Sequence, residues 1–440
     1  SPSDEVEQSA PTLMNRGLRV AISSSFVLRL AGASTGFLLS TYLARVVHAD
    51  ANVIGLLAAV YFATELLLAP VFGALSDLRG RKPFLVFGPL AGAVAVQIFP
   101  LTTAIVILAV GRLLEGLASA ANVPGTLGYL ADATSGKGPD AARARGRVMG
   151  MYEISFVVGL AGGNVLGGQL WKYLEVNGFR LVSLVYLTAA ALLFFFVKET
   201  LPASTRKHHA LSRMAVQESA HPLRALLKSR LHQYAELLKV PALHSFVPAW
   251  LAINAIVGLW FTHINPLLQR NQKSSQLLVG HFTTEQASFV LTGFGLIFML
   301  GIFLWSRLYG RFGRTDMMLA SISGVFLVAA TLLAINNNVL PGPWGQWPLI
   351  PLLVIGVLLE SGFTPVALAY LADISETREE HRGTVMGLYS VFLGVGQLVG
   401  GASGGPFIEW AGFNGLLVGT VLLGAIAGAA ILWLRAKYKV

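Results

Sequence analysis

Long apolar runs alternate with short polar, mostly basic ones along almost the whole chain. A helix that crosses a hydrocarbon core needs ~20 mostly apolar residues, and about twelve runs meet that length. They fall at roughly 20–47, 52–76, 83–101, 103–131, 147–172, 178–198, 243–270, 284–309, 315–336, 346–372, 383–410 and 412–435. The pattern predicts an all-α membrane protein of about twelve transmembrane helices. Glycine and proline recur inside the runs, which a bilayer helix tolerates because neighbours re-satisfy the freed backbone groups. The first run, Val20 to Val47, is longer than the ~7–15 residues of a signal-peptide core and predicts a retained span.

The layout divides into a cytoplasmic tail (1–18), a six-helix bundle (19–198), a cytoplasmic linker (199–242) and a second six-helix bundle (243–436). Within the linker, Pro222 to Leu238 repeats leucines at helical spacing beside Arg224, Lys228 and Arg230. That predicts either an amphipathic helix on the membrane surface or a plain connection between the halves.

Composition sharpens the picture. The chain is 54% apolar and 12% charged, against roughly 25% charged for a soluble domain, so it cannot clothe a water-facing surface. It has no cysteine, hence no disulfide and no thiolate metal site. The net charge of +10 raises nucleic acid as a partner. Its distribution argues for a membrane instead, because the basic residues cluster between spans as the positive-inside rule requires. One side carries Arg16, Arg19, Arg79, Arg81, Lys82, Arg143, Arg145, Arg147, Arg307, Arg311, Arg314 and Arg435, and the other only Arg45, Lys172, Arg180, Arg270 and Lys273. Both termini are expected in the cytoplasm of a cell bounded by this inner, plasma membrane. Trp171, Trp344, Trp347 and Trp410 fall at predicted outer ends, as in an aromatic belt.

The two halves echo one another. Residues 145–152, RGRVMGMY, match 382–389, RGTVMGLY, and Tyr129-Leu130-Ala131-Asp132 match Tyr370-Leu371-Ala372-Asp373. Similar segments at corresponding places mark a parallel repeat whose halves can rock about a midplane site, which is the architecture of a transporter.

The first inner loop reads Gly73-Ala74-Leu75-Ser76-Asp77-Leu78-Arg79-Gly80-Arg81-Lys82. It resembles the signature loop of the major facilitator superfamily, G-x-L-(S/A)-D-R-x-G-R-(R/K), with Leu78 where a basic residue is usual. Its glycines permit a tight turn, and Arg79 and Arg81 can pair with Asp132 to latch the inner gate. Arg112 to Gly116 is similar to the R-x-x-x-G element of that superfamily. The fifth span places Gly150, Gly159, Gly163, Gly167 and Gly168 in a spacing similar to that of drug:proton antiporters, with Asn164 at the usual proline. Small residues at these intervals let helices approach closely, here across the interface between halves. The nearest resemblance is to the tetracycline-efflux-like group of twelve-span drug:proton antiporters.

Ionisable groups near mid-bilayer cost ~2.5–3.5 kcal/mol each and need a partner or a task. Counting from span ends places Arg29, Glu65, Arg112, Glu115 and Glu360 there, with Glu153 nearer the inner side. Arg112, Glu115, Ser119, Asn122 and Thr126 are three or four apart and form one polar stripe. Glu65 or Glu115 is the expected proton carrier, with Arg29 or Arg112 tuning it; the plainer alternative is a static salt bridge. Arg29, Phe37, Tyr61, Glu65, Asn122, Asn254, Trp260, Phe261 and Glu360 are candidate pocket residues, Asn254, Gly258, Phe261 and Asn265 sharing a helical face. His263 reads as a structural histidine near the outer side.

No catalytic triad, metal-ligand cluster or phosphate loop occurs. The expectation is therefore no enzyme, no metal and no cofactor beyond the proton as coupling ion. The expected partners are lipid and a small-molecule or lipid substrate, with no nucleic acid, and the chain is expected to work as a monomer. Proton-coupled export of lipophilic or amphipathic molecules by alternating access leads. A lipid or lysolipid translocase and an uncoupled facilitator or nutrient importer are the alternatives.

Overall fold

A computed structural model of the chain describes residues 16–133, 139–199, 238–270, 275–308, 311–342, 345–376 and 382–438. Those residues form helices, and no strand occurs among them. An apolar solvent dictates this, since a helix satisfies its backbone groups within one segment. The first half holds α1 (Arg16–Tyr42), α2 (Ala51–Arg79), α3 (Lys82–Ile98), α4 (Ile105–Ala133), α5 (Pro139–Leu174) and α6 (Gly178–Phe196). The second holds α7 (Pro241–Leu268), α8 (Thr284–Ser306), α9 (Arg314–Asn336), α10 (Ile350–Glu360), α11 (Phe363–Glu376) and α12 (Arg382–Tyr438).

Ten apolar stretches among the described residues are long enough to cross a membrane. Two of them, Val158–Phe196 with 39 residues and Ser390–Lys437 with 48, are twice the length one crossing needs. At ~1.5 Å per residue they would measure about 58 and 72 Å against a core of ~30 Å. Each turns back on itself, the first at the short helical turn Glu175–Asn177, the second at Ala411 and Gly412, where Gly412 takes φ 62°. Twelve crossings result. The crossings alternate between a basic end, where α1 begins, and a far end, where it finishes.

Each half encloses its own apolar core. Leu38, Leu57, Val96, Phe99, Leu108 and Phe179 fill the first; Phe246, Trp250, Met318, Phe363 and Leu434 fill the second. Side chains such as Val106, Phe195 and Leu67 remain 78%, 74% and 69% exposed, as suits a surface solvated by lipid.

Two local features differ from expectation, and a third expectation lies outside the described residues. The tenth span is not one helix: α10 ends at Glu360 and α11 starts at Phe363. The carbonyl freed at Leu358 accepts from Trp305 Nε1 at 2.8 Å and from Ser361 Oγ at 2.8 Å, which makes the break tolerable. The signature loop is mostly helix, because α2 runs on to Arg79; Gly73 and Asp77 therefore lie in its last turns, and only Gly80, at φ 105°, makes the turn. The amphipathic helix expected over 222–238 falls almost wholly outside the described residues.

Candidate functional site

A polar cluster sits inside the first half, where α2 and α4 pack together. Glu115 is 9% exposed and pairs with Arg112 at 2.5 Å, one helical turn away on α4. The Arg112 guanidinium also donates to the Leu57 carbonyl at 3.3 Å and lies 4.4 Å from the centroid of the Tyr61 ring. A cation held over an aromatic face contributes roughly 0.5–2 kcal/mol, so Arg112 is satisfied on three sides. Glu65 projects from α2 beside this pair but takes a different partner. It accepts a hydrogen bond from Ser119 Oγ at 2.6 Å, and the charges of Arg29 and Arg112 act on it from further off. Arg29, on α1, donates to the Tyr152 hydroxyl of α5 at 3.2 Å.

The stripe expected on α4 thus divides. Arg112, Glu115 and Ser119 join the cluster. Asn122 accepts from Thr126 at 3.4 Å and packs where a Cβ on Gly88 of α3 would lie 2.7 Å from its own Cβ, within the bundle wall.

Other candidates are placed elsewhere. The Phe37 ring is buried against Gly167 of α5. Trp260 donates to Thr420 Oγ1 at 2.9 Å and meets Phe413 edge-on, so it packs on a separate apolar cluster with Leu259, Phe413 and Leu416. Asn254 donates to the Trp250 carbonyl at 2.8 Å and is buried with Gly258 and Asn265, whereas Phe261, on their face, is 59% exposed. Glu360 is half-buried at the broken tenth span, and its carboxyl forms no hydrogen bond or ion pair among the described residues.

The gating residues divide similarly. Arg81 Nη1 donates to Ser76 Oγ at 2.8 Å, and its guanidinium lies against Gly128 of α4, where a Cβ would meet Cζ at 2.6 Å. Arg79 is exposed. The side chains of Asp77, Asp132 and Glu153, and with them the expected latch to Asp132, lie outside the described residues. Glu199, just beyond the sixth span and not anticipated, accepts from the Arg81 and Lys82 backbone N–H groups at 2.9 and 3.1 Å. A carboxylate there satisfies the orphan donors and positive dipole at the start of α3.

The glycine stripe of α5 packs chiefly within its own half, not across the interface. Gly159 lies against Arg29, Gly163 against Ala33 and Gly167 against Phe37, all on α1, and only Gly168 meets the other half, at Ser288 of α8. Residues 159, 163 and 167 share one helical face, and 168 turns about 100° away from 167. The first arm of α12 divides the same way. Gly396, Gly400 and Gly404 pack on α7, Gly401 lies between Thr262 of α7 and Ala58 of α2, and Gly405 faces α2 of the other half.

Among the described residues, the polar ties between the halves cluster at the far end. Asn265 of α7 donates to Ser40 Oγ at 2.5 Å, to Thr41 Oγ1 at 3.2 Å and to the Phe37 carbonyl at 3.3 Å. Gln269, one turn on, donates to Thr41 Oγ1 at 3.0 Å and accepts from Arg45 Nε at 2.9 Å. Arg45 also donates to the Phe282 carbonyl at 3.2 Å. Lys172 pairs with Glu285 at 2.9 Å. Glu409 accepts from the Ala51 N–H at 2.8 Å and pairs with Arg270. A Cβ on Gly55 would sit 2.8 Å from the Gly401 carbonyl, the same oxygen that meets His263 Nε2 at 2.9 Å. These ties close the far end. Arg45, Lys172 and Arg270, three of the few basic residues on that side, all take part.

Comparison with known proteins supports the architecture. The family profile described as Major Facilitator Superfamily matches residues 21–282 and 275–440. "Multidrug resistance protein 2" of Bacillus subtilis (strain 168) is 22% identical over 368 residues, 83% of this chain and 82% of that protein. "Tetracycline resistance protein, class C" of Escherichia coli is 38% identical over 128 residues, 28% of this chain and 30% of that one. The crystal structure of the nucleoside transporter NupG superposes with a TM-score of 0.71 at 16% identity, covering 97% of this chain and 100% of that one.

Proposed function

The chain belongs to the Major Facilitator Superfamily, and on that premise we propose that this multi-pass membrane transporter couples proton entry to the export of lipophilic or amphipathic small molecules. The reading rests on one observation: the buried polar cluster holds two carboxyls in unlike company. Glu115 faces a guanidinium at 2.5 Å, a charged donor on its own helix. Glu65 faces a neutral hydroxyl at 2.6 Å. A hydroxyl can donate to a carboxylate and accept from a carboxylic acid, so Glu65 keeps a partner in either protonation state. Of the two acids the sequence left open, Glu65 is the proton carrier in this reading, and the Arg112–Glu115 pair orients α4 against α2.

The remaining roles follow. Positive-inside bias assigns the basic end to the cytoplasm of a plasma-membrane protein, so the sealed far end is the outer one. Protonation of Glu65 changes the charge beside Arg112 and biases the two-state balance between the seal at the far end and closure at the basic end. Phe261 and Glu360 are candidate contacts for a lipophilic or cationic substrate, and the relatives named for drug resistance point to that class.

The test is ethidium efflux from proteoliposomes under an imposed pH gradient. Wild type should export in proportion to the gradient, and Glu65→Gln should not. Equal transport by both, indifferent to the gradient, would replace this reading with uncoupled facilitation.

A further inference from the structure

We propose that an anionic glycerophospholipid of the leaflet at the basic end sits as a resident ligand in a groove between α1 and α6. The groove has a volume of about 160 Å³ and is lined by Arg19, Val20, Ser23, Ser24 and Val27 of α1 with Leu192 of α6. It lies away from the interface between the halves, since α6 packs on α1, α3 and α5 of its own half. It is therefore no part of the transport route.

Three features identify the occupant. First, Ser24 is 2% exposed, and its hydroxyl has no hydrogen-bond partner. Its neighbours behave otherwise: Ser25, Ser34 and Thr35 each donate to the carbonyl four residues back, at 2.8, 2.7 and 2.9 Å. A buried donor left open is costly unless a ligand takes it. Second, Arg19 at the mouth is exposed and has no acidic partner among the described residues. Among the described residues, two nearby side-chain cations also meet rings and no carboxylate: Arg16 stands 4.5 Å from the Phe196 ring centroid and Lys82 5.2 Å from that of Phe194. Basic pockets between spans on one side of a membrane suit anionic headgroups. Third, the dimensions fit a lipid rather than a free anion. From Arg19 to Ser24 is about 7 Å along the helix, and to Val27 about 12 Å. A phosphate at Arg19 places the glycerol esters at Ser24, whose hydroxyl donates to an ester carbonyl, and the acyl chain against Val27 and Leu192.

Native mass spectrometry of the full chain tests this, with phosphatidylglycerol, phosphatidylcholine and glycerol 3-phosphate as probes. One phosphatidylglycerol per chain should be retained in preference to phosphatidylcholine, and glycerol 3-phosphate should not bind. Arg19→Gln, a change at an exposed side chain, should lower phosphatidylglycerol affinity about fivefold, the effect of one basic residue near an anionic lipid surface. Val27→Phe, which fills the groove, should lower binding while Arg19 is kept. Equal binding of both lipids, binding of glycerol 3-phosphate as tight as the lipid, or unchanged binding in both variants would overturn the proposal.

Discussion

Ser119 on α4 donates to Glu65 on α2 at 2.6 Å, joining two helices through a carboxyl that no arginine clasps directly among the contacts described. The neighbouring acid, Glu115, is clasped by Arg112 at 2.5 Å. The two acids thus differ in company: one meets a neutral hydroxyl, the other a charged guanidinium.

The Ser119 hydroxyl can be removed without removing the acid. Ser119→Ala leaves the Glu65 carboxyl short of a donor, at a cost of about 1–3 kcal/mol. Thermal unfolding in detergent should show the loss, and pH-driven transport should fall well below wild type. Ser119→Thr, which keeps the hydroxyl, should retain most of both.

The Arg112–Glu115 pair makes a structural prediction with a non-additive signature. Glu115→Leu alone leaves Arg112 as a buried, unpaired cation and should destabilise by about 3–5 kcal/mol. Arg112→Leu with Glu115→Leu removes both charges and should be less damaging than the single change. Unfolding midpoints and membrane yield of Glu115→Leu, Arg112→Leu and the double variant measure this; a double variant as unstable as the sum of the two single changes would contradict the pairing.

The far-end seal should respond to its polar ties. Lys172 and Glu285 are exposed partners at 2.9 Å, so solvent screens the pair and it contributes little. Gln269 is buried and bridges Arg45, Thr41 and Thr284. Gln269→Ala should therefore open the far end more than Lys172→Ala. The absence of native cysteine makes a single cysteine at Ser40 a clean probe, read as the rate of labelling by an impermeant thiol reagent added from the far side.

Glycines along the helices should divide by what they touch. Gly163 lies directly against Ala33, while a Cβ added at Gly36 would meet nothing within 4 Å. Gly163→Leu should cost at least the ~1–3 kcal/mol of overpacking. Gly36→Ala should be neutral or stabilising by up to ~1 kcal/mol, because alanine favours the helix. Detergent melting curves of the two variants compare them.

Much of this arrangement is written in residue order. Span lengths, the basic loops, the polar stripe on α4 and the midplane acids follow from periodicity and charge, since lipid penalises every departure from them. Pairings across helices do not. Glu65 and Glu115 look equivalent along the chain, and only the packing of α2 on α4 brings one to a hydroxyl and the other to a guanidinium. Trp260 and Phe261 are adjacent and alike in composition, yet a 100° step packs one on Phe413 and leaves the other exposed. Ser40, Thr41 and Gln269 read as ordinary polar residues near span ends, and Asn265 as part of a pocket face; their role as a seal exists only once the halves meet. The far-side arginines and lysine did carry a signal, their rarity on that side, which serves closure as well as topology.

The central claim is that Glu65 carries the coupled proton. Proton release on substrate binding tests it most directly: purified protein in weakly buffered detergent, a pH-indicator dye, and ethidium added to wild type, Glu65→Gln and Glu115→Gln. The account predicts release from wild type and from any folded Glu115→Gln protein, and none from Glu65→Gln. Release from Glu65→Gln equal to wild type, or its loss only in Glu115→Gln, would contradict it.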